Sequence, residues 1–151
     1  VLFDLAPHMF DIQNYLLGQW PETIYCEAGP FRRASGEETA YVLSKFKGGL
    51  VSLANISWLV PRKIRQIEIV GESRSALVDA VAQEVTVYES GYTYKLGIER
   101  NNTIKDELVH FIKSISDPQT ETKNSGTIGV KTVELIEAAK RSMADGKAVK
   151  V

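Results

Sequence analysis

Apolar positions follow two periods along this 151-residue chain. Near the start, Met9, Phe10, Ile12, Leu16 and Leu17 fall at helical spacing, with Asp4 placed to cap the helix and Gly18 placed to end it. Pro7 is tolerated there because first-turn amides have no intrahelical partner. From Thr23 the pattern becomes alternation. Thr23–Ala28 sets Ile24, Cys26 and Ala28 on one face, and Glu38–Phe46 sets Ala40, Val42, Ser44 and Phe46 against Tyr41, Leu43 and Lys45. Gly48-Gly49 turns the chain into Leu50–Trp58, which predicts a hairpin. Lys63–Val70, Ser75–Asp79, Glu84–Glu89 and Tyr92–Glu99 read as further short strands around turns at Gly71 and Ser90-Gly91. Helical spacing returns at Ile104, Leu108, Phe111, Ile112 and Ile115 and stops at Asp117-Pro118. A polar loop, Gln119–Gly126, leads to an amphipathic helix over Thr127–Asp145, ended by Gly146, and Ala148–Val151 reads as a last edge strand. Helix, then strands, then helices predicts an α+β fold: a largely antiparallel open sheet with helices packed on one face, in a single domain over 1–151.

Composition removes several classes of function. The 18 basic and 19 acidic side chains leave a net charge of −1, which gives no electrostatic footprint for nucleic acid or an anionic membrane. Uncharged stretches such as Leu50–Val60 are too short and too polar to span a bilayer. The single cysteine, Cys26, excludes an internal disulfide framework and a CxxC metal site, and makes a reducing cytoplasm the default compartment. The chain opens Val-Leu-Phe-Asp, and Asp4 and His8 break its first apolar run, so it reads as a piece of a longer protein or a mature product rather than as a signal peptide.

Two clusters carry candidate chemistry. Asp4 and His8 stand at i and i+4, the spacing at which a carboxylate orients an imidazole for general acid–base work. The competing reading makes Asp4 only a helix cap and His8 only a surface residue. Asp11, three residues on, and Tyr15 extend the same face toward a substrate or simply supply helix-surface polarity. The second cluster is Asn55-Ile56-Ser57-Trp58 with Pro61-Arg62-Lys63-Ile64-Arg65. Asn55 and Ser57 project together, Trp58 lies on the opposite face and offers a stacking surface, and Arg62 and Arg65 suit phosphate or carboxylate. Here the alternative is a solvated basic strand end with one aromatic in the core. With two histidines and no HExxH or cysteine pair, no metal site is expected. No GxGxxG, P-loop or GxSxG stands in the chain.

At Val1–Asp11 the sequence resembles the Asp-xxx-His helix start of the Gfo/Idh/MocA oxidoreductases, and the resemblance continues in order through Tyr15–Gly18, Ile67–Gly71, Lys105–Ile112, Glu137–Ser142 and Gly146–Val149. It implies the C-terminal substrate and oligomerisation domain of a two-part enzyme whose N-terminal Rossmann domain binds NAD or NADP. It further implies that His8 is the proton acceptor at the oxidised hydroxyl with Asp4 beside it, and that a lysine of a Glu-Lys-Pro motif lies in that other domain. Asn55–Arg65 looks closest to members acting on nucleotide sugars such as UDP-N-acetylglucosamine, with Arg62, Lys63 or Arg65 on the diphosphate. The expectation is therefore a sugar or nucleotide-sugar dehydrogenase of the cytoplasm, built with its own Rossmann domain and assembled as a dimer or tetramer through the sheet, with the isolated piece inactive. Two other classes stand beside it: a non-catalytic module that pairs through its sheet face, and a metal-dependent hydrolase using His8, Asp4 and Asp11.

Overall fold

The computed structural model describes residues 1–32, 34–120, 123 and 125–151. In chain order the elements are α1 (Leu2–Leu17), β1 (Thr23–Gly29), β2 (Thr39–Lys45), β3 (Val51–Ser57), β4 (Gln66–Val70), β5 (Arg74–Asp79), β6 (Glu84–Glu89), β7 (Tyr92–Lys95), α2 (Thr103–Ser116), α3 (Gly126–Asp145) and β8 (Val149–Lys150). The chain divides into two compact units, one of Val1–Leu59 with Lys123–Val151 and one of Val60–Thr122.

In the first unit an antiparallel sheet runs in the order β3-β2-β1-β8. Its register sets Cys26 beside Val42 and Val42 beside Ala54. The alternation seen in the sequence therefore places Ile24, Cys26, Ala40, Val42 and Ile56 on one face. Leu2, Ala6 and Phe10 of α1 and Leu135, Ile136, Ala138 and Ala139 of α3 close over that face to form the core. Each large apolar side chain buried there contributes about 1.5–3 kcal/mol. The other face leaves Tyr41, Leu43, Val51 and Leu53 exposed. The Gly48-Gly49 turn forms as the sequence predicts, with both residues at positive φ (81° and 87°), where a side chain is strained.

Asp4 does not cap α1. The helix begins at Leu2 and its N-cap, Val1, makes no side-chain cap bond. The acceptor comes from elsewhere in the chain: Glu37 Oε1 accepts from the Leu2 N–H at 3.2 Å and from the Val1 nitrogen at 3.3 Å. With the start moved forward, Pro7 lies past the first turn and leaves the Phe3 carbonyl without its helical donor. Gly18 ends the helix in the left-handed region as expected.

The second unit is a meander, β4-β5-β6-β7, also antiparallel. The strands thus divide between two sheets. Pro61 and the charged run Arg62–Arg65 separate β3 from β4, and a proline there removes a ladder donor. α2 is capped by Asn102, whose side chain accepts from the Lys105 N–H, and ends where Asp117-Pro118 predicts. None of its residues is buried: Ile104, Leu108, Phe111, Ile112 and Ile115 are 56–68% exposed. The predicted loop Gln119–Gly126 lies partly outside the described residues. Among the described residues no helix is long and apolar enough to cross a membrane.

Candidate functional site

Helical periodicity decides which way α1 presents its polar residues. Leu2, Ala6 and Phe10 form the buried stripe, so Asp4, His8, Asp11 and Tyr15 fall on the opposite side. His8 and Asp4 are exposed and Asp11 is partly so. Among the described residues His8 makes no hydrogen bond or ion pair, and none joins it to Asp4. Both ring nitrogens are therefore open to a ligand.

Asp4 has a different partner. Its Oδ2 accepts from Trp58 Nε1 at 2.8 Å, a contact between residues 54 positions apart. Trp58 is in phase with Ala54 and Ile56 on the α1 side of the sheet, which puts the indole beside the first turn of the helix. Its backbone N–H donates to the Glu38 carbonyl at 2.9 Å, and the Leu59 N–H donates to Ser57 Oγ at 3.0 Å where the chain leaves β3.

Glu37 and Glu38 are the site residues that sequence reasoning missed. Glu37 fastens the amino end of α1, as described above. Glu38 is 5% exposed, and its carboxylate accepts the Phe31 and Arg32 N–H groups at 2.8 and 2.5 Å. Backbone and carboxylate together tie the loop before β2 to the end of β3. The signal was present: Glu38 shares the alternation phase of Ala40, Val42 and Ser44, so an ionisable group stood on the face assigned to the core. Burial opposes ionisation of Glu37, yet its own N–H and the Leu2 N–H hold its carboxyl below the usual range.

The other predicted residues do not gather at this point. Asn55 pairs with Tyr41 on the opposite face of the sheet from α1. Arg62, Lys63 and Arg65 are exposed residues of the second unit. Arg62 and Lys63 line a cleft of about 260 Å³ with Ile64, Gln66, Asp79, Val81 and Ala82. That volume is below the roughly 300–1,000 Å³ of ordinary ligand pockets. Asp79 is already engaged there: its carboxylate accepts the Val81 and Ala82 N–H groups at 3.0 and 2.9 Å and the Gln66 amide at 3.1 Å. The Ala82 and Gln66 bonds, with a smaller contribution from Arg62, hold the carboxyl below its usual range. A larger hollow of about 620 Å³ beside Val130, Val133 and Val151 contains none of the predicted residues.

Among the described residues no helix amino end is left open for a phosphate. Each helix amino end is already occupied by its own acceptor, from Glu37, Asn102 or Ser125, and α1 adds Asp4 in its first turn, which repels phosphate. Among the described residues no three His, Cys, Asp or Glu side chains stand close enough to hold a metal ion, which leaves a hydrolase built on Asp4, His8 and Asp11 without a ligand set.

Residues 1–77 match the family described as GFO/IDH/MocA C-terminal domain. No curated protein matches the chain in sequence. Among solved structures, it is similar to UDP-N-acetylglucosamine 3-dehydrogenase GnnA from Acidithiobacillus ferrooxidans, at 18% identity and a TM-score of 0.85 over 95% of this chain and 47% of that one. It is similar to the aldose-aldose oxidoreductase from Caulobacter crescentus complexed with glycerol, at 19% identity and a TM-score of 0.87 over 99% and 47%. An oxidoreductase from Agrobacterium radiobacter, solved in complex with NAD+, L-tartaric acid and magnesium, matches at 21% identity and a TM-score of 0.82 over 99% and 48%. At these identities the likeness is one of fold, and the chain spans about half the length of each.

Proposed function

The chain belongs to the GFO/IDH/MocA family through its C-terminal domain, and from that premise we propose that it is the substrate-side part of an NAD(P)-dependent oxidoreductase acting on a hydroxyl of a sugar or nucleotide sugar. The observation that carries the reading is His8: an imidazole on the outward stripe of α1, flanked by Asp4 and Asp11, with no hydrogen bond or ion pair among the described residues. Its ring nitrogens are open to a hydrogen bond with a substrate hydroxyl. In the proposed reaction its open nitrogen accepts the hydroxyl proton as the carbinol becomes a carbonyl. The coenzyme, NAD or NADP, is held by a Rossmann domain outside this chain and supplies the hydride acceptor. Arg62, Lys63 and Arg65, exposed in the second unit, carry guanidinium and ammonium groups of the kind that bind phosphate, the group a nucleotide sugar adds to a free one. The setting is the cytoplasm. General acid–base assistance of this kind is worth roughly 10²–10⁴-fold in rate. His8→Asn in the intact protein is expected to lower kcat within that range, and an unchanged kcat refutes the assignment.

A second reading has its own observation. The outer face of the first sheet exposes Tyr41, Leu43, Val51 and Leu53, the last at 72%, which is the kind of surface that pairs with another copy. The two roles are compatible in one protein. If the domain served assembly alone, Asp4→Asn would leave activity intact. A protein that stays monomeric in sizing experiments removes the assembly role.

A further inference from the structure

We infer that Trp58 is a positioning residue for Asp4: its indole N–H holds the carboxylate out of ion-pair reach of His8 and so keeps the imidazole open to the substrate hydroxyl. The inference rests on the dehydrogenase reading of His8 given above. Its geometry is independent of that reading.

Asp4 and His8 stand one turn apart on one face of α1, where a carboxylate and an imidazole ordinarily meet. Here they do not, because Asp4 Oδ2 is taken by Trp58 Nε1 at 2.8 Å. A carboxylate in contact with the ring would favour its protonated form, and a ring already protonated accepts nothing from a hydroxyl. The Trp58 bond directs that carboxylate toward the sheet and keeps its charge near the reacting group without contact. A neutral N–H donor suits this task, since a lysine or arginine at the same place would cancel the charge.

The hold is built from below. The Trp58 backbone is fixed to Glu38 by its N–H, Glu38 is buried under the loop whose amides it accepts, and the neighbouring Glu37 takes the first amide of α1. The first turn of the helix is thus fastened twice to one short segment, once through backbone and once through Asp4. The ring is 43% exposed, so stacking on a sugar is the competing role, and the two roles use different atoms. Stacking needs the ring face. Positioning needs the indole N–H.

Trp58→Phe separates them, because it keeps an aromatic face and removes the donor. In the intact protein, assayed with UDP-N-acetylglucosamine and NAD+ or NADP+, this variant is expected to lose roughly 10- to 100-fold in kcat, with KM within about twofold, as a misaligned charged group costs. In the Asp4→Asn background the same replacement should cost almost nothing further, since the two act as one unit. Unchanged kcat, or a loss carried by KM alone, overturns the inference in favour of stacking. Nitrogen–proton NMR reads the hold without turnover. The indole N–H signals of this chain are those of Trp20 and Trp58, and of these Asp4→Asn is expected to move only that of Trp58 and to speed its solvent exchange. An indole signal indifferent to Asp4→Asn overturns the inference whatever the kinetics. Wild-type protein that oxidises neither this substrate nor simple aldoses refutes the dehydrogenase reading, and the consequence drawn for His8 falls with it, while the NMR result still tests the bond.

Discussion

Ser142→Ala tests how the sheet of the first unit is closed. Ser142 is fully buried on α3; its Oγ accepts from the Cys26 N–H at 3.0 Å and donates to the Lys147 carbonyl at 2.7 Å. Cys26 lies on β1, whose far side is paired by β8 only at Thr23 and Ile24. Two residues beyond the last of these pairs, the N–H on the open side is satisfied by a helix hydroxyl instead of a strand. Removing the hydroxyl leaves a buried N–H without an acceptor, which costs about 1–3 kcal/mol. Alanine is the better helix former by at most about 0.5 kcal/mol. The net loss is therefore about 0.5–2.5 kcal/mol. With a urea slope of about 1.5 kcal/mol/M, the midpoint should fall by roughly 0.3–1.7 M. Trp20 and Trp58 both belong to this unit, so tryptophan fluorescence follows its unfolding selectively. A midpoint that stays put or rises would refute the claim that this hydroxyl takes the place of a longer β8.

Cys26 should be silent toward thiol reagents while the protein is folded. Burial pushes its thiol up to about 11, so at pH 8 about one molecule in a thousand carries the thiolate, against roughly one in four for an ordinary cysteine; rapid labelling in buffer without urea would contradict this. Glu37 is held below its usual range, so it stabilises the fold above the unfolded carboxyl value of about 4.3, and that stability is lost as pH falls through the lower folded value. Glu37→Gln should accordingly unfold at lower urea than wild type at pH 7, by a margin that shrinks as the pH is taken below 4; an equal gap at every pH would show that the charge contributes nothing.

Local pattern carried most of the secondary structure because each element has a period and an end signal of its own. The β2–β3 hairpin follows from alternation around Gly48-Gly49, and α3 follows from its apolar stripe between Ser125 and Gly146. The α2 stripe was equally legible, yet period alone says nothing about whether anything covers it, and among the described residues nothing buries Ile104, Leu108 or Phe111. The division into two sheets was hidden for a similar reason: successive strands imply pairing, and only the break at Pro61–Arg65 ends it.

The candidate site divides along the same line. That Asp4, His8 and Asp11 share a face is a consequence of 3.6 residues per turn, so it could be read from spacing. What Asp4 bonds to could not, because a short polar side chain has several local and distant options of similar energy. Capping its own helix was the nearest option on paper. It was pre-empted by Glu37, which arrives from 35 residues away to take the Leu2 amide. Once that amide is taken, the Asp4 carboxylate is left for a donor beyond the helix, and the end of β3 places the Trp58 N–H at that spot. The distant pair therefore follows from the loss of the local one. Wherever a sequence offers a first-turn carboxylate, its role turns on whether another residue already serves the helix end, and the carboxylates to examine are those, like Glu37-Glu38, that stand where an apolar pattern has no use for them.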